Sequence, residues 1–152
     1  MAVGLENRVP PPIVAACVAV VMLGAAWALP TPAFNLPSVF SLLIALAGAS
    51  LGVVGVLQFL RAKTTVNPLQ PGAASALVTG GIYRFTRNPM YLGMAAMLLA
   101  WAVYLSNIAA LAVLPLFVLY MNRFQIGPEE RALQARFGAE FEAYRARVRR
   151  WV

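Results

Sequence analysis

The chain has 152 residues, 61% of them hydrophobic and only 11% charged, with a mean hydropathy of +0.75 and a net charge of +7 from 12 Lys and Arg against 5 acidic residues. Soluble domains run at about 25% charged residues, and a globule of this length cannot hide so much apolar surface. These figures exclude a disordered chain, a disulfide scaffold and an ordinary nucleic-acid binder, and leave an integral membrane protein. The acidic residues are all Glu (Glu6, Glu129, Glu130, Glu140 and Glu142), and there is no Asp and no His. Without imidazole there is no Ser-His or Cys-His pair. With Cys17 alone inside an apolar run, a metal site is not expected.

No charge falls between Val9 and Leu60 or between Asn88 and Asn122. Each silent stretch holds two spans of roughly 17–25 residues if it folds back on itself. Breaks at Pro30, Thr31 and Pro32 through Pro37 predict spans over Ile13–Leu29 and Ser38–Leu60. The first could be read as a signal peptide but is taken as a span. The second carries Gly48 and Gly52 with Ser41, Ala45 and Ala49, small residues that let helices approach closely; packing within the chain is favoured over a dimer face. A break at Ser106–Asn107 predicts spans over Met90–Leu105 and Ile108–Phe124, joined as a tight antiparallel hairpin.

Orientation follows from the cations. Arg61, Lys63, Arg84 and Arg87 lie between spans two and three, and Arg123, Arg131, Arg136, Arg145, Arg147, Arg149 and Arg150 lie at or after the end of span four. The loop in the 30s and the 106–107 turn carry none. Both termini and the 61–89 segment are therefore expected on the cytoplasmic side of an inner or plasma membrane. After span four, Gly127-Pro128 offers a helix start. Leu133, Phe137, Phe141, Tyr144 and Val148 then form one apolar stripe at helical spacing. That stripe suits either a helix on the anionic membrane surface or a wall folded over spans three and four.

Residues 61–91 are long for an inter-span loop and hold Leu77, Val78, Ile82, Tyr83 and Phe85 among Gly, Pro, Thr and Asn. Such a loop should pack on something. It ends in Arg87-Asn88-Pro89-Met90-Tyr91 at the mouth of span three. Pro89 suits a helix's first turn, and the free N–H groups there attract anionic groups. On residue chemistry alone Arg87 reads as a membrane anchor, Tyr83 and Tyr91 as interfacial aromatics, and Glu129 and Glu130 as complements to a helix dipole.

The ordered set is more specific than its parts. Leu77-Val78-Thr79-Gly80-Gly81-Ile82-Tyr83 is followed by Arg87-Asn88-Pro89-Met90-Tyr91-Leu92-Gly93. An apolar hairpin comes next, then Glu129-Glu130, Leu133, Phe137-Gly138, Phe141, Tyr144, Val148 and Trp151. Over about residues 60–152 this resembles the isoprenylcysteine carboxyl methyltransferase and phospholipid methyltransferase superfamily of integral membrane enzymes. The first two spans carry no signature of it.

The resemblance implies an all-α membrane fold of about four spans plus a C-terminal amphipathic helix. It would be one methyltransferase domain over residues 1–152, with two N-terminal spans to residue 60 and the cofactor-binding part after it. It implies S-adenosylmethionine as methyl donor and S-adenosylhomocysteine as product. Cofactor contacts would fall on Ser75, Ala76, Leu77, Val78, Tyr83, Asn88, Pro89, Met90, Tyr91 and Glu129. Ser75 and Ala76 match in position only, and Asn88 stands where isoprenylcysteine enzymes have His. Arg87, Tyr91 and Arg123 are the candidate catalytic residues. The substrate-binding Arg of the eukaryotic enzymes falls on Gln125, with Arg123 two residues earlier.

The expected acceptor is a lipophilic small molecule or lipid entering from the bilayer. Carboxyl O-methylation of a prenylcysteine-like compound is slightly favoured over lipid amine N-methylation, and small-thiol S-methylation comes third. No nucleic acid and no obligatory protein partner is inferred. The rivals from other classes are a noncatalytic module binding anionic lipid or a partner through its basic face, and a small transporter. Spans free of ionisable residues argue against the transporter.

Overall fold

Four apolar helices stand side by side in a computed structural model of the chain. The structure describes residues 6–152 except positions 32, 35, 66 and 68 and the side chain of residue 71. Pro32, part of the break expected between the first two spans, lies outside the described residues. The helices are α1 (Pro11–Ala28), α2 (Ser38–Arg61), α3 (Pro89–Leu105) and α4 (Ile108–Tyr120). Their bounds fall within a few residues of the expected spans, because proline and polar residues end each apolar run. Three helices are long and apolar enough to cross a membrane: Pro11–Ala28, Ser38–Arg61 and Ile108–Phe137. The fourth, Pro89–Leu105, is apolar but one residue shorter than the shortest of these. Their outward surfaces are lined with exposed Val, Leu, Phe and Ile, as lipid permits and water does not. The fold is all-helical among the described residues.

The closest packing is between α2 and α3, with α4 lying mainly on α1. The small-residue stripe of α2 is the reason. A Cβ added at Gly48 would lie 2.7 Å from the carbonyl oxygen of Gly93, so only two glycines permit this approach. Ser41 Oγ donates to the Ala100 carbonyl at 2.8 Å across the same contact. The hairpin between α3 and α4 is as tight as expected. Asn107 Oδ1 accepts from the Ala110 N–H and caps α4, and its amide donates to the Ala26 and Leu29 carbonyls at the end of α1.

The tail departs from the expectation of a separate helix starting at Gly127. Helix α4 runs straight on through a π-helical segment, Met121–Ile126, into α5 (Gly127–Phe137). Proline inside a helix normally clashes with the carbonyl four residues back and lacks an N–H to bond it. Here the Gly127 N–H bonds five residues back to the Asn122 carbonyl, and this wider turn accommodates Pro128 without a break. Nor is the tail one helix. Gly138, at φ +51°, ends α5 and α6 (Ala139–Arg147) begins; glycine is the residue that adopts such a backbone without strain. The apolar stripe survives the break, because Phe141, Tyr144 and Val148 are buried with Tyr83 against Phe59, Leu77, Val78, Ile82, Leu133 and Phe137. The stripe packs as a wall, but over the loop and the end of α2 rather than over spans three and four.

At Gly48 the steric clash decides the sign of substitution. Gly48→Ala would gain about 1 kcal/mol of helix propensity but force two backbones apart, at about 1–3 kcal/mol. Gly52, where an added Cβ meets nothing within 4 Å, keeps the propensity gain. Thermal denaturation in detergent should show G48A melting below the parent protein and G52A at or above it.

Candidate active site

The site forms where α3 begins, because three stretches of chain converge there. The 61–88 segment brings two short 3₁₀ turns, Pro71–Ala73 and Gly81–Arg84. It is stitched together by Thr64 Oγ1, which accepts from the N–H groups of Ser75 and Ala76. The C-terminal strap after α6 is held along residues 86–88. The Arg87 N–H donates to the Arg149 carbonyl, while Thr86 Oγ1 and Asn88 Nδ2 donate to the Arg150 carbonyl at 3.3 and 2.9 Å. Tyr144 Oη donates to the Tyr83 carbonyl at 2.7 Å and fixes α6 to the loop.

A single carboxylate fastens these pieces. Glu130 receives Arg87 at 2.7 Å on one oxygen and Arg150 at 2.6 Å on the other. The side chains of Arg87 and Glu130 are only 11% and 12% exposed, so this pair is shielded from water. Burial disfavours the Glu130 anion, but the hydrogen bonds and charges of Arg150 and Arg87 outweigh it and hold the carboxyl below its ordinary value. Arg87 also reaches the carbonyls of Arg145 and Val148. Its outer nitrogens are therefore committed within the protein, and Nε alone is buried without a partner.

Glu129, next in sequence, lies in the opposite environment. It lies past the charge-free run that ends at Asn122, and no cation lies within ion-pair distance of it among the described residues. Tyr91 Oη donates to Glu129 Oε2 at 3.0 Å, and the Gln125 amide hydrogen-bonds the same tyrosine hydroxyl. Burial pushes the Glu129 carboxyl up to about 7; the Tyr91 hydrogen bond opposes the shift and the neighbouring Glu130 anion adds to it. Tyr83 is buried, and its hydroxyl has no hydrogen-bond partner among the described residues. Burial and the Glu129 charge raise its ionisation well above the phenol range. Tyr83 thus brings a protonated hydroxyl to the cavity with nothing to donate to.

Two adjoining fissures, of about 50 and 40 Å³, open at this point and share Phe59, Met90, Tyr91, Glu129 and Leu133. Of the residues proposed for a cofactor, Tyr83, Asn88, Met90, Tyr91 and Glu129 line the first, and Ala76, Leu77 and Val78 help line the second. Pro89 is buried at the α3 entrance against α2, and Ser75 is exposed with its hydroxyl on the Lys63 carbonyl; neither lines a fissure. Arg87 and Tyr91 reach the cavity. Arg123 does not: it is half exposed and pairs with Glu6 at 3.0 Å. The helical period explains this. Along such a helix residues four or five apart share a face and residues two apart point to nearly opposite sides. Gln125, buried and joined to Tyr91, therefore faces the site with Glu129, while Arg123 points away. Sequence reasoning missed Phe59, Glu130, Leu133, Phe141 and Tyr144 as cavity walls. The last three belonged to the recognised stripe, whereas Phe59 ends a span and gave no signal.

Fold and site together define an all-helical membrane protein whose one end closes over a partly polar cavity. The pattern of the family described as phospholipid methyltransferase matches residues 36–140. The chain belongs to that family, and with it to the isoprenylcysteine carboxyl methyltransferase-like superfamily. The family implies methyltransferase activity in a membrane protein. An uncharacterized protein of Haemophilus influenzae is 43% identical over 63 residues, which are 41% of this chain and the whole of that protein. No solved structure matches.

Removing the Glu130 charge should expose the energetics of the clasp. Glu130→Ala leaves the shielded Arg87 guanidinium without its anion, a change that costs about 3 kcal/mol where a buried pair is broken. A lowered melting temperature, with faster amide hydrogen exchange across residues 145–151 than across α2, is the expected result.

Proposed function

We propose that the chain is an S-adenosylmethionine-dependent membrane methyltransferase that methylates the polar end of a lipophilic acceptor, in the first instance an amine. The observation that carries this reading is the cavity bounded by Glu129 and the unpartnered Tyr83 hydroxyl, between the α3 entrance and the helix leaving α4. S-adenosylmethionine would supply a methyl group on a sulfonium. It also presents an ammonium and ribose hydroxyls, which are donors for a carboxylate such as Glu129. Tyr91 would orient that carboxylate, the Tyr83 hydroxyl would find its missing acceptor, and Leu77, Val78, Met90 and Leu133 would supply apolar walls for the base. Ligand sites of drug size run to about 300 Å³ or more, so binding requires the two fissures to open into one. Arg87 is then a positioning residue whose Nε is the donor left for a ligand.

The amine is favoured over a carboxylate by the charges. The terminal nitrogens of Arg87 are held by Glu130 and by the Arg145 and Val148 carbonyls, and Arg123 lines neither fissure, so neither offers an acceptor's carboxylate a two-pronged partner. As a neutral amine would attack the methyl carbon, the C–N bond would form while the C–S bond breaks, releasing S-adenosylhomocysteine; the ammonium so formed would lose its proton to water afterwards, so no protein base is needed in the displacement itself. The chain's part is positioning and exclusion of water, which a site without histidine can provide. The cation-rich end would face the cytoplasm, where S-adenosylmethionine would enter.

A binding titration of S-adenosylmethionine on detergent-purified protein tests the reading. A hydrogen bond to a charged group contributes about 1.5–3 kcal/mol, so Glu129→Gln should weaken binding by roughly tenfold to a hundredfold. The pH dependence has a definite sign. With its carboxyl pushed up to about 7, Glu129 is increasingly neutral below that pH and cannot complement an ammonium. Affinity should therefore fall by up to about tenfold per pH unit as pH drops below 7, and level off above it; the glutamine variant should flatten the profile. Unchanged affinity in both Glu129→Gln and Tyr91→Phe would remove these residues from the site.

A further inference from the structure

The helix that delivers Gln125 and Glu129 to the site is held from behind by a part of the chain that lines neither fissure. Pro128 has no N–H, so the carbonyl four residues before it, that of Phe124, lacks the donor an α-helix would give it. The Asn7 N–H donates to that carbonyl at 3.0 Å. Asn7 stands at φ +52°, in the left-handed region that asparagine tolerates better than most side chains. Its Oδ1 is buried without a partner among the described residues, so the backbone N–H, not the side-chain oxygen, is what Asn7 brings to this contact. Beside it Glu6 pairs with Arg123 at 3.0 Å and with Arg131 at 2.7 Å, and Val9 packs on the core that holds Tyr91 and Ile126. The start of the π-turn is gripped as well: Asn122 Oδ1 accepts from Arg150 Nη1 at 3.3 Å and from Trp151 Nε1 at 3.1 Å.

We propose that residues 6–9 are a brace for the candidate site, in which the Asn7 N–H replaces the donor missing at Pro128 and keeps Gln125 and Glu129 turned toward Tyr91. The inference rests on the methyltransferase reading only for the ligand that reports it. A π-turn holds one residue more than an α-helical turn, and each residue of an α-helix turns it by about 100°. A helix that loses its π-turn, or moves it along the chain, therefore swings Glu129 off the Tyr91 hydroxyl, which it meets at 3.0 Å. With the Phe124 carbonyl occupied from outside the helix, the π-turn is fixed in place. Arg123 and Arg131, which flank the contact, line neither fissure. The arm thus lies behind the helix, and Asn7 is a positioning residue rather than a catalytic one. Residues 6–9 also fall outside the stretch 36–140 matched by the family pattern, so the brace is not part of what that pattern describes.

The test is the S-adenosylmethionine affinity of the full chain in detergent, measured as a function of pH. Asn7→Pro removes the donor and forbids the positive φ, whereas Asn7→Gly keeps both. Apparent affinity follows the fraction of the protein in the competent setting. Leaving an acceptor without its donor should therefore weaken binding by about fivefold or more in Asn7→Pro, while Asn7→Gly should change it by less than about twofold. Should Asn7→Pro fail to fold, Asn7→Ala, which keeps the N–H and only disfavours the positive φ, should give a loss of about twofold to fivefold. Burial is what raises the Glu129 carboxyl, so a carboxyl that swings out ionises at lower pH. The fall in affinity on acidification should move to lower pH in these variants, a shift that a uniform loss of folded protein does not produce. Pro128→Ala returns an N–H to the helix itself, so adding Asn7→Pro to it should cost less than about twofold. Parental affinity in Asn7→Pro, an unmoved pH profile, or the full loss persisting beside Pro128→Ala overturns the brace. Amide hydrogen exchange needs no ligand: Asn7→Pro should speed exchange over residues 125–131 and leave α2 at the parental rate, and equal speeding in both overturns the brace. If the parent chain binds no S-adenosylmethionine, the methyltransferase reading fails, and the exchange result alone decides the brace.

Discussion

Two positive charges and one negative charge, largely withdrawn from water, fix the position of everything at the closed end of this molecule. Glu130 leaves the last long helix, Arg87 leads into α3, and Arg150 lies in the strap after α6. No two of these belong to the same element. Removing Glu130 would leave the shielded Arg87 guanidinium without its anion, which is far costlier than losing an exposed pair. The Glu6 pairs with Arg123 and Arg131 illustrate the contrast: their arginine side chains are 52% and 60% exposed, and such pairs contribute little. The cavity exists because the Glu130 clasp draws the loop, the α3 entrance and the terminal strap together.

Neighbouring carboxylates have been given opposite tasks by their surroundings. Glu130 is saturated with guanidinium and is an ion with nothing left to offer. Glu129 accepts from a tyrosine hydroxyl, has no cation beside it among the described residues, and is pushed toward neutrality by burial. Divergent environments for adjacent acids are a recurrent sign of divided labour. The division here gives Glu130 to architecture and, in the proposed function, leaves Glu129 for ligand chemistry. Arg87 follows its partner into architecture, which is why a site with this many arginines nearby still presents little free positive charge to a substrate.

The spans were legible because charge is excluded from lipid on energetic grounds and the sequence leaves it only at the helix ends, where proline also gathers, Pro115 inside α4 apart. The Tyr91–Glu129 proximity was legible through the ordered motifs: the loop, the entrance and the Glu-Glu pair are recognisable even though periodicity alone says nothing of their distance in space. Three features were not legible. The continuous helix through Pro128 depends on a π-turn, which has no composition signal. The break at Gly138 looked like an ordinary position within a stripe, because the stripe's spacing is kept by packing rather than by a continuous helix. The commitment of Arg87 to carbonyls and Glu130 is a tertiary fact, since a lone arginine at a span boundary reads equally as an anchor, a ligand or a clasp.

The wider turn also explains how a span can become part of a cavity wall. A helix that ended at the membrane surface would need a loop to bring acidic residues back over α3, and a loop carries conformational entropy that a ligand must remove. Running the helix on through Met121–Ile126 instead delivers Gln125 and Glu129 on one rigid face. Gln125 bonds Tyr91 from one side, Glu129 accepts from it on the other, and the tyrosine hydroxyl is held by two groups from the same helix. Preorganisation of this kind fixes the geometry of the Glu129 carboxylate from one helix rather than from the loop.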